Sequence, residues 1–299
     1  MRSIFVLLFS FFFLHSSFGE VKVSYSREDS LRVVELLEKG AKKGKMMNGK
    51  WQATNDTESL TIFYAKQFMN RPYVGQTLEI KGKEEQLVIN LKSLDCTTLV
   101  ENVCALTLTT IHGSKRWQDF LFWLQKLRYQ DGKLSGYSSR NHYFSQWIQS
   151  GARQNLVREI DANRNISVPM KLSLTYMSSH PNSYPLLKVD AEERKLIAEM
   201  EKRASGATIR YIPKERVGDS RKVLGNIKDG DIIAITTNKA GLDISHVGFA
   251  VWGEDGKLHL LNASSIHKKV VLEPMTLYQY MQKHPSQTGI RVVGLNIEH

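Results

Sequence analysis

The chain has 299 residues, 41% apolar and 24% charged, with a formal net charge of +11. Those proportions exclude a disordered or fibrous chain and fit a globular one. The basic residues are scattered, as at Lys42-Lys43-Gly44-Lys45 and Lys268-Lys269, and form no stripe with interleaved aromatics, so nucleic acid is not an expected partner.

Residues 1–19 read as a signal peptide. Arg2 precedes an apolar run from Ile4 to Leu14, and the small residues Ser17 and Gly19 stand before a cut at Glu20. That run is too short to span a bilayer comfortably, and no later segment is longer and as apolar, so no stable membrane insertion is expected. The chain after the cut, 20–299, fits one large domain or a domain with a substantial insertion.

Leu31, Val34, Leu36 and Leu37 predict a helix over 29–43. A second is expected from Thr57 to Asn70, stopped by Arg71-Pro72. Leu87, Val88 and Ile89 read as a short buried strand. A helix should then begin at Cys96 and run to about Thr110, ended by His112-Gly113. Trp117, Phe120, Leu121, Leu124 and Leu127 give the apolar face of a helix over 114–129. A short helix is expected over 142–149, a proline-containing stretch over 151–188, and a charged helix over 190–204. The last third reads as strands over 208–212, 231–236, 245–252, 258–263 and 290–297. The turn Glu254-Asp255-Gly256-Lys257 joins two of them as a hairpin. Helices first and an antiparallel sheet after predict an α+β fold.

The chain has two cysteines, Cys96 and Cys104, eight positions apart. On one helix they would be separated by roughly 12 Å, whereas a disulfide needs Cα atoms within about 7 Å. A thiol is therefore left free in a chain expected to meet an oxidising compartment, which suits a nucleophile. Asp95 suits the N-cap of the helix, and the helix N-terminus favours a thiolate at Cys96. The alternative for Cys96 is a small buried hydrophobe, and Cys104, among Val103, Ala105 and Leu106, reads as core. A base is needed too. Of nine histidines, His246 stands at the start of an apolar strand, and Asn262 on the next strand can sit beside it. An asparagine carbonyl can hold one imidazole nitrogen and leave the other for the thiol. A structural strand histidine and a turn-forming asparagine are the competing readings. No His-Glu-x-x-His, Cys-x-x-Cys or Gly-x-Ser-x-Gly occurs. No metal or organic cofactor is expected.

Several motifs in order carry a family resemblance. Arg71-Pro72-Tyr73-Val74-Gly75-Gln76-Thr77-Leu78-Glu79 precedes Asp95-Cys96-Thr97-Thr98-Leu99-Val100-Glu101. Arg140-Asn141-His142-Tyr143-Phe144-Ser145, Gly230-Asp231-Ile232-Ile233 and Ser245-His246-Val247-Gly248 follow, then a polar-Ala-Ser triplet at Asn262-Ala263-Ser264. From about residue 57 to the C-terminus the chain resembles the papain-like NlpC superfamily of bacterial cell-wall hydrolases, in its N-acetylmuramoyl-L-alanine amidase-like branch. The resemblance implies a papain-like core, a nucleophile-bearing helix packed on an antiparallel sheet. It makes 20–299 one catalytic domain whose extra helical material, about 113–205, shapes the cleft. It assigns Cys96 as nucleophile, His246 as base and Asn262 as the residue orienting the ring, where the superfamily often has histidine. Tyr73 and Asp95 would border the oxyanion site, Ser245 and Ser264 the substrate, and Arg140 and His142 would contact a polar, acidic ligand. The implied activity is cleavage of the N-acetylmuramoyl–L-alanine bond of peptidoglycan fragments in a periplasm or outside the cell. Cleavage of the D-glutamyl–diamino-acid bond, or wall binding without catalysis, are the alternatives. The sequence specifies no oligomeric state.

Overall fold

The computed structural model describes residues 21–54, 59–80, 84–160 and 164–296. The expected signal peptide, the expected helix start at Thr57 and the expected strand end at Ile297 lie outside them. Helices occupy most of the first half. α1 (Arg27–Ala41) starts at a reciprocal cap. There the Asp29 N–H reaches Ser26 Oγ at 3.2 Å, and the Ser26 N–H reaches the Asp29 carboxylate at 2.9 Å. α2 (Leu60–Lys66) is shorter than expected, because the chain turns after Lys66 and Asn70 adopts a φ of 66°. α3 (Cys96–Ile111) is buried on every side from Thr98 onward. It packs against α1, α2, α4 (Trp117–Arg128) and the sheet. α5 (Phe144–Arg153) and α6 (Ala191–Ala204) complete the long helices.

Among the described residues the main sheet has eight strands: β1 (Val157–Glu159), β2 (Val168–Lys171), β3 (Thr208–Pro213), β4 (Ile232–Thr237), β5 (Ile244–Trp252), β6 (Leu258–Ser264), β7 (Lys269–Leu272) and β8 (Gln287–Leu295). Their order is β7-β6-β5-β4-β8-β3-β2, with β1 also on β8, and every pairing is antiparallel. The chain is thus α+β, as its segment pattern predicts. Strand alternation divides the core. Ile232, Ala234, Val247, Phe249, Leu261 and Ala263 pack with α3 and its neighbours. Ile233, Ile235, Ala250 and Leu260 pack on the other side with Leu277, Tyr280 and Met281 of a short helix, α7 (Leu277–Gln282). Because β4 is covered on both faces, all six of its residues are buried and its sequence shows no polar alternation.

The stretch expected to be helical, 113–205, also contributes β1 and β2. β2 contains Pro169 and lies at the sheet edge, where proline costs no ladder bond. Within the same stretch, residues 175–184 form a strap. The N–H groups of Thr175 and Tyr176 both donate to the Gly241 carbonyl at 3.0 Å. Gln76 Nε2 donates to the Ser183 carbonyl at 3.2 Å. The buried Glu201 carboxylate accepts from the Tyr143 hydroxyl and from the N–H groups of Met177 and Ser178, fixing the strap to α6. The strap therefore links the loop after Tyr73 to the loop before His246.

Candidate active site

Cys96 is the first residue of α3. Asp95 caps that helix: its carboxylate accepts from the Thr98 N–H at 2.8 Å, and the Asp95 N–H donates to Thr98 Oγ1 at 2.9 Å. Both cysteines are free. Cys96 is half-buried, while Cys104 is fully buried two turns along the helix. The expected separation of the two thiols along one helix is what the structure has.

The sheet opens where α3 begins. The ladder between β5 and β6 runs from Trp252 opposite Leu258 to Phe249 opposite Leu261, and no further. Just past that end, the N–H of Val247 meets the Cys96 sulfur, which also receives the hydroxyl and the N–H of Thr97. His246 is therefore adjacent to a residue that touches the thiol. Its Nε2 lies 2.9 Å from Asn262 Oδ1, which leaves Nδ1 as the other ring nitrogen. Asn262 is fully buried, so its amide does not drift into solvent. Tyr280 of α7 sits beside both partners, its ring 6.4 Å from that of His246 and its hydroxyl within electrostatic reach of Cys96.

Tyr73 is drawn in by backbone pairing. Its N–H donates to the Lys268 carbonyl at 2.9 Å, and the flanking residues pair with Leu94, just before Asp95. Burial pushes the Tyr73 hydroxyl up to about 12, and the charges of Cys96 and Asp95 add to the rise. The phenol stays protonated beside the thiol and can donate a hydrogen bond there.

The electrostatics depart from the sequence expectation of a lowered thiol pKa. Burial pushes the Cys96 thiol up to about 11, helped by the Asp95 carboxylate, while the Val247 and Thr97 donors pull it down. Burial also pulls the His246 imidazole below its ordinary value, against the Asn262 contact. The resting pair is consequently a thiol and a neutral imidazole. Thr97, which donates twice to the sulfur, is a site residue that the sequence reading did not single out. Its only signal was its place directly after the cysteine.

Four expected site residues have other occupations. Arg140 was expected to meet an acidic ligand, but it is buried and already neutralised. Nε and Nη2 bond the two oxygens of Glu85 at 2.9 and 2.8 Å, and Nη1 bonds Glu79 at 2.9 Å. Arg140 thus ties down the far end of the loop that starts at Tyr73. His142 points its Nε2 at the Tyr137 carbonyl, 2.8 Å away, and rests on the Tyr137 ring. Burial, then the Arg140 charge, lowers it to about 3, so it is a neutral packed ring rather than an anion contact. Ser264 is buried and accepts from the His267 N–H at 3.1 Å, which makes it a turn residue of the β6–β7 hairpin. Ser245 donates to the Ile235 carbonyl on β4 at 3.3 Å. Among the described residues, no three His, Cys, Asp or Glu side chains converge as a metal set. A cavity of about 290 Å³ bordered by Arg210, Tyr211 and Arg291 contains none of the site residues.

An N-capped helix carrying a cysteine, set against a strand pair carrying a histidine and its asparagine, defines the class to which the chain is to be compared. The family model described as N-acetylmuramoyl-L-alanine amidase-like matches residues 64–290. The chain belongs to this amidase-like family, whose substrate is peptidoglycan. It is similar to two crystal structures of N-acetylmuramoyl-L-alanine amidase from Bacteroides uniformis. One is 41% identical over 79% of this chain and 98% of that one, and the other 38% identical over 86% and 99%, both with a TM-score of 0.73. A candidate xylanase from Bacteroides fragilis is 42% identical over 77% of this chain and 98% of that one, with a TM-score of 0.72. A comparison with curated proteins returns no match. Among the described residues no helix is long and apolar enough to cross a membrane.

Proposed function

We propose that the protein is an exported cysteine amidase that cleaves the N-acetylmuramoyl–L-alanine bond of peptidoglycan fragments, including anhydro-muramyl ones. The observation that carries this is the His246–Asn262 contact of 2.9 Å on the strand that touches Cys96, in a chain of the amidase-like family. The helix-and-sheet arrangement around it supports a papain-like core. Residues 1–19 direct the chain to a periplasm or outside the cell.

His246 takes the Cys96 proton as the sulfur attacks the lactyl carbonyl, forming the C–S bond. The C–N bond then breaks, and the same proton passes to the leaving amine of L-alanine. Water, deprotonated by His246, clears the thioester and restores the thiol. Asn262 keeps the imidazole in the tautomer these steps need, and Tyr73 donates to the developing oxyanion. The strap at 175–184 bounds the cleft between Tyr73 and His246. A glycoside hydrolase, the reading suggested by the xylanase neighbour's name, would need two facing carboxylates. Asp95, the carboxylate beside Cys96, is engaged in capping α3.

Alkylation of Cys96 tests the site. In the free enzyme its rate should still climb about tenfold per pH unit between pH 8 and 10, because the thiolate form is scarce there. Turnover should instead hold across neutral pH and fall only in acid, below about pH 6.5, as the lowered His246 takes up a proton. Mass spectrometry should find the adduct on Cys96 and not on buried Cys104, with turnover lost in proportion. An alkylation rate already flat from pH 6, or full turnover with Cys96 blocked, would count against the mechanism.

A further inference from the structure

The contact between Asn262 and His246 is not delivered by strand register alone. Leu261 lies opposite Phe249, so the next step along both strands sets Asn262 opposite Gly248, with His246 two residues further on. Directly opposed side chains start about 5 Å apart and diagonal ones about 7–8 Å. Asn262 must therefore lean across position 248 to bring Oδ1 to the imidazole.

Gly248 leaves that space open. A Cβ at this position would fall 2.7 Å from the Leu261 carbonyl oxygen, 2.9 Å from Asn262 Cβ and 2.9 Å from Leu260 Cδ1, and only the last is the far end of a flexible side chain. Gly248 is not one of the glycines with positive φ, so its backbone conformation does not itself demand glycine. What is required is room, and of the two side chains within 2.9 Å the end of Leu260 can turn aside, whereas Asn262 is met at its Cβ and cannot.

We propose that Gly248 is a positioning residue of the active site: its missing side chain lets Asn262 lie across the strand and hold the His246 ring. This rests on the reading of His246 as the base, and it adds a residue that never touches substrate. The test compares Gly248→Ala, Asn262→Gly and the double variant with the unaltered protein. Two readouts are taken, turnover of a muramyl-peptide and the ¹⁵N shifts of the His246 imidazole, which report its tautomer and hydrogen bond without substrate. Gly248→Ala should lose the hydrogen-bond signature and lower kcat by roughly 100-fold, as a displaced catalytic group does. Adding it to Asn262→Gly should cost less than about twofold, because the contact it disturbs is already gone. Independent, multiplying losses would overturn the proposal, as would an intact His246 signature in Gly248→Ala. If Gly248→Ala fails to fold, the double variant decides. Folding regained on removing the Asn262 side chain supports the proposal; continued unfolding assigns the glycine to the Leu261 carbonyl and overturns it. Should no protein in the set cleave the muramyl-peptide, the catalytic reading fails while the imidazole shifts still judge Gly248.

Discussion

Cys96→Ala is expected to lower amide turnover by roughly four orders of magnitude or more, the scale seen when the nucleophile of a coupled catalytic set is removed. The fold should survive. Cys96 is half-buried at the first turn of α3, and the cap that starts this helix is made by Asp95 and Thr98, not by the thiol. Thermal melting within a few degrees of the unaltered protein would establish that the loss is chemical. Cys104→Ala is the matched control. That thiol is fully buried among Val103, Ala105 and Leu108 in the core, so its loss should cost about 1 kcal/mol of stability and leave turnover in place. Equal loss of activity in both variants would mean that the cysteines act through packing.

The largest effect on stability is expected at Glu101. Its carboxylate lies 2.6 Å from Arg128 Nε, and the two side chains are 2% and 1% exposed. Burial raises the Glu101 carboxyl while Arg128 opposes that rise. Arg128 also donates to the Val88 carbonyl, so one guanidinium joins α3, α4 and the segment after the loop that Arg140 clamps. Removing one partner leaves a desolvated charge. Glu101→Ala should therefore cost about 3–5 kcal/mol, read as a shift in the urea unfolding midpoint at constant slope. Glu101→Leu with Arg128→Met removes both charges, and it should recover most of that loss. A single variant within about 1 kcal/mol of the parent would show that the pair contributes little.

The helix start that places Cys96 was legible because its signals are local. Asp95 before an apolar run marks a helix start, and eight residues of helical rise keep the two thiols apart. The pairing of His246 with Asn262 was legible only to within a diagonal, because an alternating hairpin with an Asp-Gly turn places the two strands side by side but sets Asn262 one step past Leu261, opposite Gly248. The occupations of Arg140, Glu85 and Glu79 were not, since these partners are 55 and 61 residues apart and no periodicity links them. Motif position alone made Arg140 and His142 look like ligand contacts, and burial gave them structural duties. Glu101 stood in the cysteine motif without a visible reason; Arg128, 27 residues on, supplies it. β2 was hidden by Pro169, and β7 and α7 are too short, at four and six residues, for a pattern to emerge. The direction of the Cys96 shift was misjudged for a related cause: the helix N-terminus is visible in sequence, but the burial that outweighs it is not.

Cleavage at the lactyl–L-alanine amide leaves products that cleavage further along the stem does not. The most direct measurement is the product mass spectrum from one defined muropeptide, N-acetylmuramic acid bearing L-alanine, D-glutamate and a diamino acid. Two products are expected, the free muramic acid with its lactyl carboxylate and the intact tripeptide with an L-alanine amino terminus, both absent with Cys96→Ala. A muramyl product that keeps L-alanine and D-glutamate, with the diamino acid released, would contradict it.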